Sequence, residues 1–334
     1  MCSLFIAQKN FLLYSSKWSK NKKEGERMST AVVFQQMLVI FMLIAIGFII
    51  FKKGLCPQES SRYFSFLVTS VCNPAIMISS ALDKETTATR GDILITAGIA
   101  LVVFTILIIS GFILPKILRA PKDEHKFYNM MTVYGNISFI GIPVVSAVLG
   151  TSAVIYVTVF NLFFNTLIYT HGIFVLSPKN GNDGPFWKKF INIGTIAAVL
   201  TIIIFWFKIP LPEVVASTVG HAGKCVTFLS MVVLGSSLVQ IKFKEIFNEP
   251  RLYIFVAIRM IIFPVVLGIV LKQIFTNEMM INAIILMMSM PCANMPLMLA
   301  KQYDMDCPIL SKGILLSTML SLVTITLVSY MGTL

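Results

Sequence analysis

Two short stretches of this chain place amides, glycines and prolines inside otherwise apolar sequence: YGNISFIGIP from Tyr134 to Pro143, and MPCANMP from Met290 to Pro296. The chemistry they point to is anion binding by neutral donors. A helix broken at Gly135, or at Gly141 and Pro143, leaves a second half-helix whose first N–H groups lack intrahelical partners. The positive end of that half-helix favours an anion. Asn136 adds two amide donors without a permanent charge. In the second stretch Pro291 and Pro296 flank Asn294 and supply the same ingredients. Two such breaks meeting near the midplane would hold a carboxylate and still release it. Kinks without a ligand and interhelical amide bonds are the competing readings. The placement of one break late in each half of the chain favours a transport site.

Other candidates are weaker. Asn73-Pro74 either lines the same site or kinks its helix. Arg259 lies well inside an apolar segment and must face protein or water. It either balances substrate charge or pins helices together, and the multidentate guanidinium favours pinning. Lys301, Asp304 and Asp306 follow the second break closely, as a gate, a proton relay or interfacial charges. Lys224 and His221 read as a helix end exposed to water. Cys2, Cys56, Cys72, Cys225, Cys292 and Cys307 form no CxxC pair and read as free thiols. His125, His171 and His221 lack the i, i+4 spacing of a zinc motif, so no metal and no cofactor is expected.

The elements that must position these residues are membrane helices. Charged residues make up 13% of the chain, about half the roughly 25% of soluble domains, and mean hydropathy is +0.85. Spans of about 20 apolar residues are expected at Thr30–Phe51, Tyr63–Leu82, Ile93–Leu114, Tyr128–Leu149, Ala153–Leu176, Ile191–Phe207, Val214–Val239, Leu252–Phe275, Met280–Ala300 and Pro308–Tyr330. The expected fold class is therefore an all-α integral membrane protein of ten transmembrane helices. A linker at 177–190 divides a first five-helix unit (30–176) from a second (191–334), and residues 1–29 form a basic extension.

A net charge of +12 is here a topology signal, and no nucleic-acid partner is expected. Loops after spans one, three, five and seven carry 13 lysines and arginines, from Lys52 to Arg251, against 4 in the alternate loops: Lys84, Arg90, Lys208 and Lys272. The positive-inside rule then puts the odd loops in the cytoplasm and both termini outside the cell membrane. The first 27 residues oppose this, with Lys9, Lys17, Lys20, Lys22, Lys23 and Arg27. They make a poor signal peptide, because the apolar run precedes the lysines. Met28 is the expected true initiator.

Five spans per half force the halves into opposite orientation, the inverted arrangement of many transporters. The echo between CNPAIMISSAL (Cys72–Leu82) and VVLGSSL (Val232–Leu238) is a modest trace of a repeat. GNISFIGIP after a basic loop, IRMIIFP (Ile258–Pro264), and MPCANMPLMLAKQYDMD (Met290–Asp306) followed by STMLSLVTITL resemble the auxin efflux carrier family over about Met28 to Tyr330. That family includes bacterial permeases for malate and malonate. The resemblance implies two inverted five-helix repeats, a fold like that of bile acid sodium symporters, with helices four and nine unwound at a crossover. It also implies substrate contact for Asn136 and Asn294, with Pro143, Pro291 and Pro296 keeping the helices open. A long cytoplasmic loop of the larger plant exporters is missing here.

The function expected is alternating-access transport of small organic anions. Proton or sodium coupling, and a homodimer, remain open. A sodium-coupled bile acid or sterol symporter of the same fold is the alternative. An intramembrane enzyme would need HExxH or paired in-span aspartates, and none occurs in the spans. A receptor would need room for an output domain.

Overall fold

The computed structural model describes residues 30–83, 86–176, 193–239, 249–303 and 305–332. The basic extension, the linker at 177–190 and Asp304 lie outside the described residues. In chain order the helices are α1 (Thr30–Lys52), α2 (Ser60–Leu67), α3 (Asn73–Leu82), α4 (Arg90–Ile117), α5 (His125–Val133), α6 (Ile142–Leu149), α7 (Val154–Leu167), α8 (Ile173–Leu176), α9 (Ile193–Phe207), α10 (Glu213–Val239), α11 (Pro250–Ala257), α12 (Phe263–Ile274), α13 (Glu278–Met288), α14 (Met295–Gln302) and α15 (Pro308–Gly332). The described residues contain no strand, as expected for an all-α chain. Seven helical segments are long and apolar enough to cross a membrane. Three shorter apolar helices, Ile137–Leu149, Ile193–Phe207 and Glu278–Met288, accompany them. The first and last of these belong to the expected fourth and ninth spans, each of which the structure divides in two.

Several long helices are locally widened by π turns, and proline explains most of them. Proline lacks an N–H, and its ring collides with the carbonyl four residues back. Widening the helix by one residue just before it relieves that collision. Val68–Cys72 precedes Pro74, Ile137–Gly141 precedes Pro143, and Ile258–Ile262 precedes Pro264. The π turn at Ile168–Gly172 has no proline after it. Asn73-Pro74 is thus the restart of a widened helix.

Helix starts follow local rules. A capping box opens α4: Thr89 Oγ1 accepts from the Asp92 amide at 3.1 Å, and Asp92 Oδ2 accepts from the Thr89 amide at 2.8 Å. Asn277 Oδ1 caps α13 through the Met280 amide at 3.1 Å.

Packing joins helices from both halves of the chain. α10 lies against α1 and α3, and α9 lies against α3. Glycine sets the closeness of the first pair: a Cβ on Gly47 would stand 2.7 Å from Val232 Cα. Small residues give such backbone approach in membranes, where dispersion and not water exclusion holds helices together. The other contacts bring α4, α7 and α15 against α5 and α13, with Tyr128, Tyr134, Tyr156, Phe104 and Phe160 fully buried among them.

Candidate functional site

The two interrupted segments touch each other. Tyr134–Asn136 and Pro291–Ala293 run antiparallel as a two-residue bridge centred on Gly135 and Cys292. The Asn136 amide donates to Pro291 O at 2.7 Å, and the Ala293 amide donates to Tyr134 O at 2.9 Å. Backbone groups that lipid could not satisfy are therefore satisfied by the other break. The division falls at Tyr134–Asn136. Gly141 lies inside the π turn that follows it, and Pro143 is the second residue of α6. Between the two positions offered for the first break, the structure selects Gly135.

Space explains the glycine. A Cβ on Gly135 would stand 3.2 Å from a guanidinium nitrogen of Arg259 and 3.6 Å from Met290 O. At Gly141 the nearest atoms would be 3.5 Å away, an ordinary contact. Pro291 lends its carbonyl to the bridge and needs no N–H there. Pro296 sits in the first turn of α14, where its missing N–H costs nothing.

Asn136 and Asn294 occupy matching positions, each just ahead of a second half-helix. Asn136 O accepts from Gly141 N at 2.9 Å, and Asn294 O accepts from Met298 N at 3.0 Å. Their side chains differ. Asn136 is buried, and its Oδ1 caps the Phe139 amide at 3.1 Å. Asn294 is half-buried, and its amide makes no hydrogen bond among the described residues. Beside it, Met295 and Leu297 carry the first-turn amides that a helix start leaves without intrahelical partners.

Arg259 holds the other side of both breaks. Only 3% exposed, it donates from Nε to Thr132 O and from one terminal nitrogen to Met288 O, each at 2.6 Å. Thr132 and Met288 end α5 and α13, the two first half-helices, whose terminal carbonyls have no intrahelical donor. One cation thus serves two negative helix ends. The Phe263 ring lies 5.8 Å from the guanidinium carbon.

Three further contacts support the breaks from other helices. Asn161 on α7 accepts from Ser138 Oγ at 3.0 Å, behind the first break. Ser317 on α15 accepts from the Cys292 amide at 3.1 Å, behind the second. Tyr134 O–H donates to Leu167 O at 2.8 Å and lies 3.1 Å from His171 Nδ1. Single polar residues in apolar helices give no local signal, though Ser317 falls within the STMLSLVTITL stretch.

Of the other candidates, Asn73 and Asp306 make no side-chain hydrogen bond with the two breaks among the described residues. Asn73 is 5% exposed with its Oδ1 unpaired, and the π turn before it packs against α9 and α10. Lys301 lies on α14 with its side chain outside the described residues, and Asp306 is exposed beyond the helix. No group of three or more histidine, cysteine or acidic residues able to hold a metal occurs among the described residues.

Comparison with known proteins agrees on a broad class. A family model described as membrane transport protein matches residues 32–186 and 184–329. A protein of Methanothermobacter thermautotrophicus named an uncharacterized transporter is 23% identical over 300 residues, covering 88% of this chain and 96% of that one. Another so named, from Methanocaldococcus jannaschii, is 23% identical over 302 residues, covering 87% and 96%.

Proposed function

Because this chain belongs to the membrane transport protein family, we propose that this multi-pass membrane protein is a secondary transporter of small organic anions, carboxylates such as malate or malonate. The observation that carries the reading is the pair of hydrogen bonds joining the two breaks, Asn136 to Pro291 and Ala293 to Tyr134. On this reading the helices form two inverted five-helix repeats in the cell membrane, with both termini outside. The divided fourth and ninth spans cross at the site.

The donors at the crossover are neutral: the side-chain nitrogens of Asn294 and Asn136 and the first-turn N–H groups of α14. They favour an anion through the half-helix ends. Arg259 is already engaged by two carbonyls, and its charge adds to the field without requiring direct contact. Spans one, two, six and seven support, and spans three to five and eight to ten move, in alternating access.

The test is transport in vesicles. The purified protein is reconstituted and offered labelled malate, malonate, lactate, indole-3-acetate and taurocholate, with and without proton and sodium gradients. Uptake of a small carboxylate, lost in Asn136→Ala, is the expected result. Uptake of taurocholate alone, or transport unchanged by the substitution, overturns it.

A further inference from the structure

Away from the crossover, a cavity of about 180 Å³ opens between α3, α6 and α10, lined in part by Ser79, Ser146, Thr151, Thr227 and Lys224. Its location is informative. Ser146 belongs to α6, the half-helix that starts at the first break, and Thr151 follows it. Ser79 and Lys224 belong to helices of the proposed support. The cavity therefore lies on the boundary across which alternating access would act.

Lys224 is not a helix end. It stands eleven residues beyond Glu213 in a helix that continues to Val239, roughly 16 Å along the axis at 1.5 Å per residue. Lys224 is exposed at one edge of the cavity, and an ammonium so far along a membrane-length helix is a functional candidate. It has no carboxylate partner among the described residues. Asp83, the nearby acid at the end of α3, faces Ser152 at 3.3 Å and does not line the cavity.

The hydroxyls give a second, independent sign. Serines and threonines in apolar helices usually bond back to a carbonyl one turn earlier, as Ser80, Thr158, Thr201 and Ser230 do here. The half-buried Ser79, Ser146, Thr151 and Thr227 hydroxyls make no hydrogen bond among the described residues. Four unengaged hydroxyls and one unpaired ammonium converge on one small space. Gly223 beside them packs tightly, since its Cβ would stand 2.9 Å from Ile76 Cα. That contact holds the α3 and α10 walls together.

We propose that Lys224 with these four hydroxyls forms an anion-binding station, distinct from the crossover, for the carboxylate of a small organic acid. That the acid is cargo rests on the transport reading above. One positive charge suits one carboxylate. The volume is below the roughly 300–1,000 Å³ of pockets for drug-sized ligands, so a short acid fits and a sterol-sized one does not. α6 connects the station to the first break.

The test reads local charge, independently of transport. Thr227→Cys is placed in a Cys225→Ser background of the full chain, in phosphatidylcholine vesicles. Modification rates with an anionic sulfonatoethyl and a cationic trimethylammonioethyl methanethiosulfonate are compared. Lys224→Gln should lower the anionic-to-cationic rate ratio about tenfold at low salt, as expected for one nearby charge in a partly screened site. Lys224→Arg should restore it. Malonate should slow modification in the Lys224 and Arg forms alone. A ratio unmoved by Lys224→Gln, or malonate protection that persists in it, overturns the station. Ser79→Cys serves if Thr227→Cys fails to insert. Carboxylate uptake with an unmoved ratio refutes the station alone. A moved ratio without uptake in the vesicle screen refutes the transport reading alone.

Discussion

The two breaks are built from similar residues yet are secured differently. The first is closed by its own side chain, Asn136 Oδ1 on the Phe139 amide, and its π turn is backed by Asn161. The second borrows its support from another helix, through Ser317 on the Cys292 amide, and leaves the Asn294 side chain without a partner among the described residues. A site that must hold an anion and release it needs rigid positioning and an uncommitted donor at once. On the proposed reading these requirements are divided between the two breaks. Arg259, bonded to the carbonyl ends of both, is what they share.

Removing the shared element should give the largest effect. Arg259→Ala leaves the Thr132 and Met288 carbonyls unpaired in a buried place. At about 1–3 kcal/mol for each of the two orphaned groups, a stability loss of about 2–6 kcal/mol is expected in thermal or denaturant unfolding of the detergent-solubilised protein. Transport should disappear. Arg259→Lys should recover part of the stability, because an ammonium cannot reproduce the planar fork.

The next effect separates the breaks. Ser317→Ala removes the acceptor of the buried Cys292 amide and should cost about 1–3 kcal/mol. Amide exchange should rise around Cys292 and remain unchanged at Phe139. Equal rises at both would show that the breaks open as one unit.

The asparagines sharpen the contrast further. Asn136→Ala removes a cap and should lower stability by about 1 kcal/mol as well as abolish transport. Asn294→Ala should abolish transport with stability unchanged, measured by the same unfolding curves. A stability loss as large as that of Asn136→Ala would contradict a free Asn294 side chain.

The smallest effect lies far from the breaks. Burial, with Glu249 and Asp123 nearby, holds the half-buried Glu124 carboxyl above the ordinary glutamate range, while Arg251 and Lys312 oppose this. A raised carboxyl contributes stability below its unfolded pKa, and that contribution is lost as pH rises through its folded pKa. Glu124→Gln should flatten this loss in a pH series of melting temperatures. Lys312, paired with Glu249 at 2.9 Å, should matter little when replaced, within the ~0–1 kcal/mol of partly exposed pairs.

Much of this was legible in the sequence because the relevant rules are local. Apolar runs near 20 residues mark spans, and prolines mark the widened turns and half-helix starts. The breaks around Asn136 and Asn294 stand out because lipid rarely tolerates them. Lys224 reads from the sequence as a helix end exposed to water; it is exposed, but it lies in the interior of α10. The expected span, Val214–Val239, matches the helix within one residue, but the cavity beside Lys224 is formed together with other helices.

By itself the sequence determined a helical membrane protein with two interrupted spans, since hydropathy and backbone-breaking residues act on their own segment. Tertiary structure decided what those interruptions do to each other. The bridge between Gly135 and Cys292, the two carbonyls that meet Arg259, the backing by Asn161 and Ser317, and the space around Lys224 join residues far apart along the chain. Such contacts depend on how rigid helices pack, and the periodicity of any one segment cannot encode its partner.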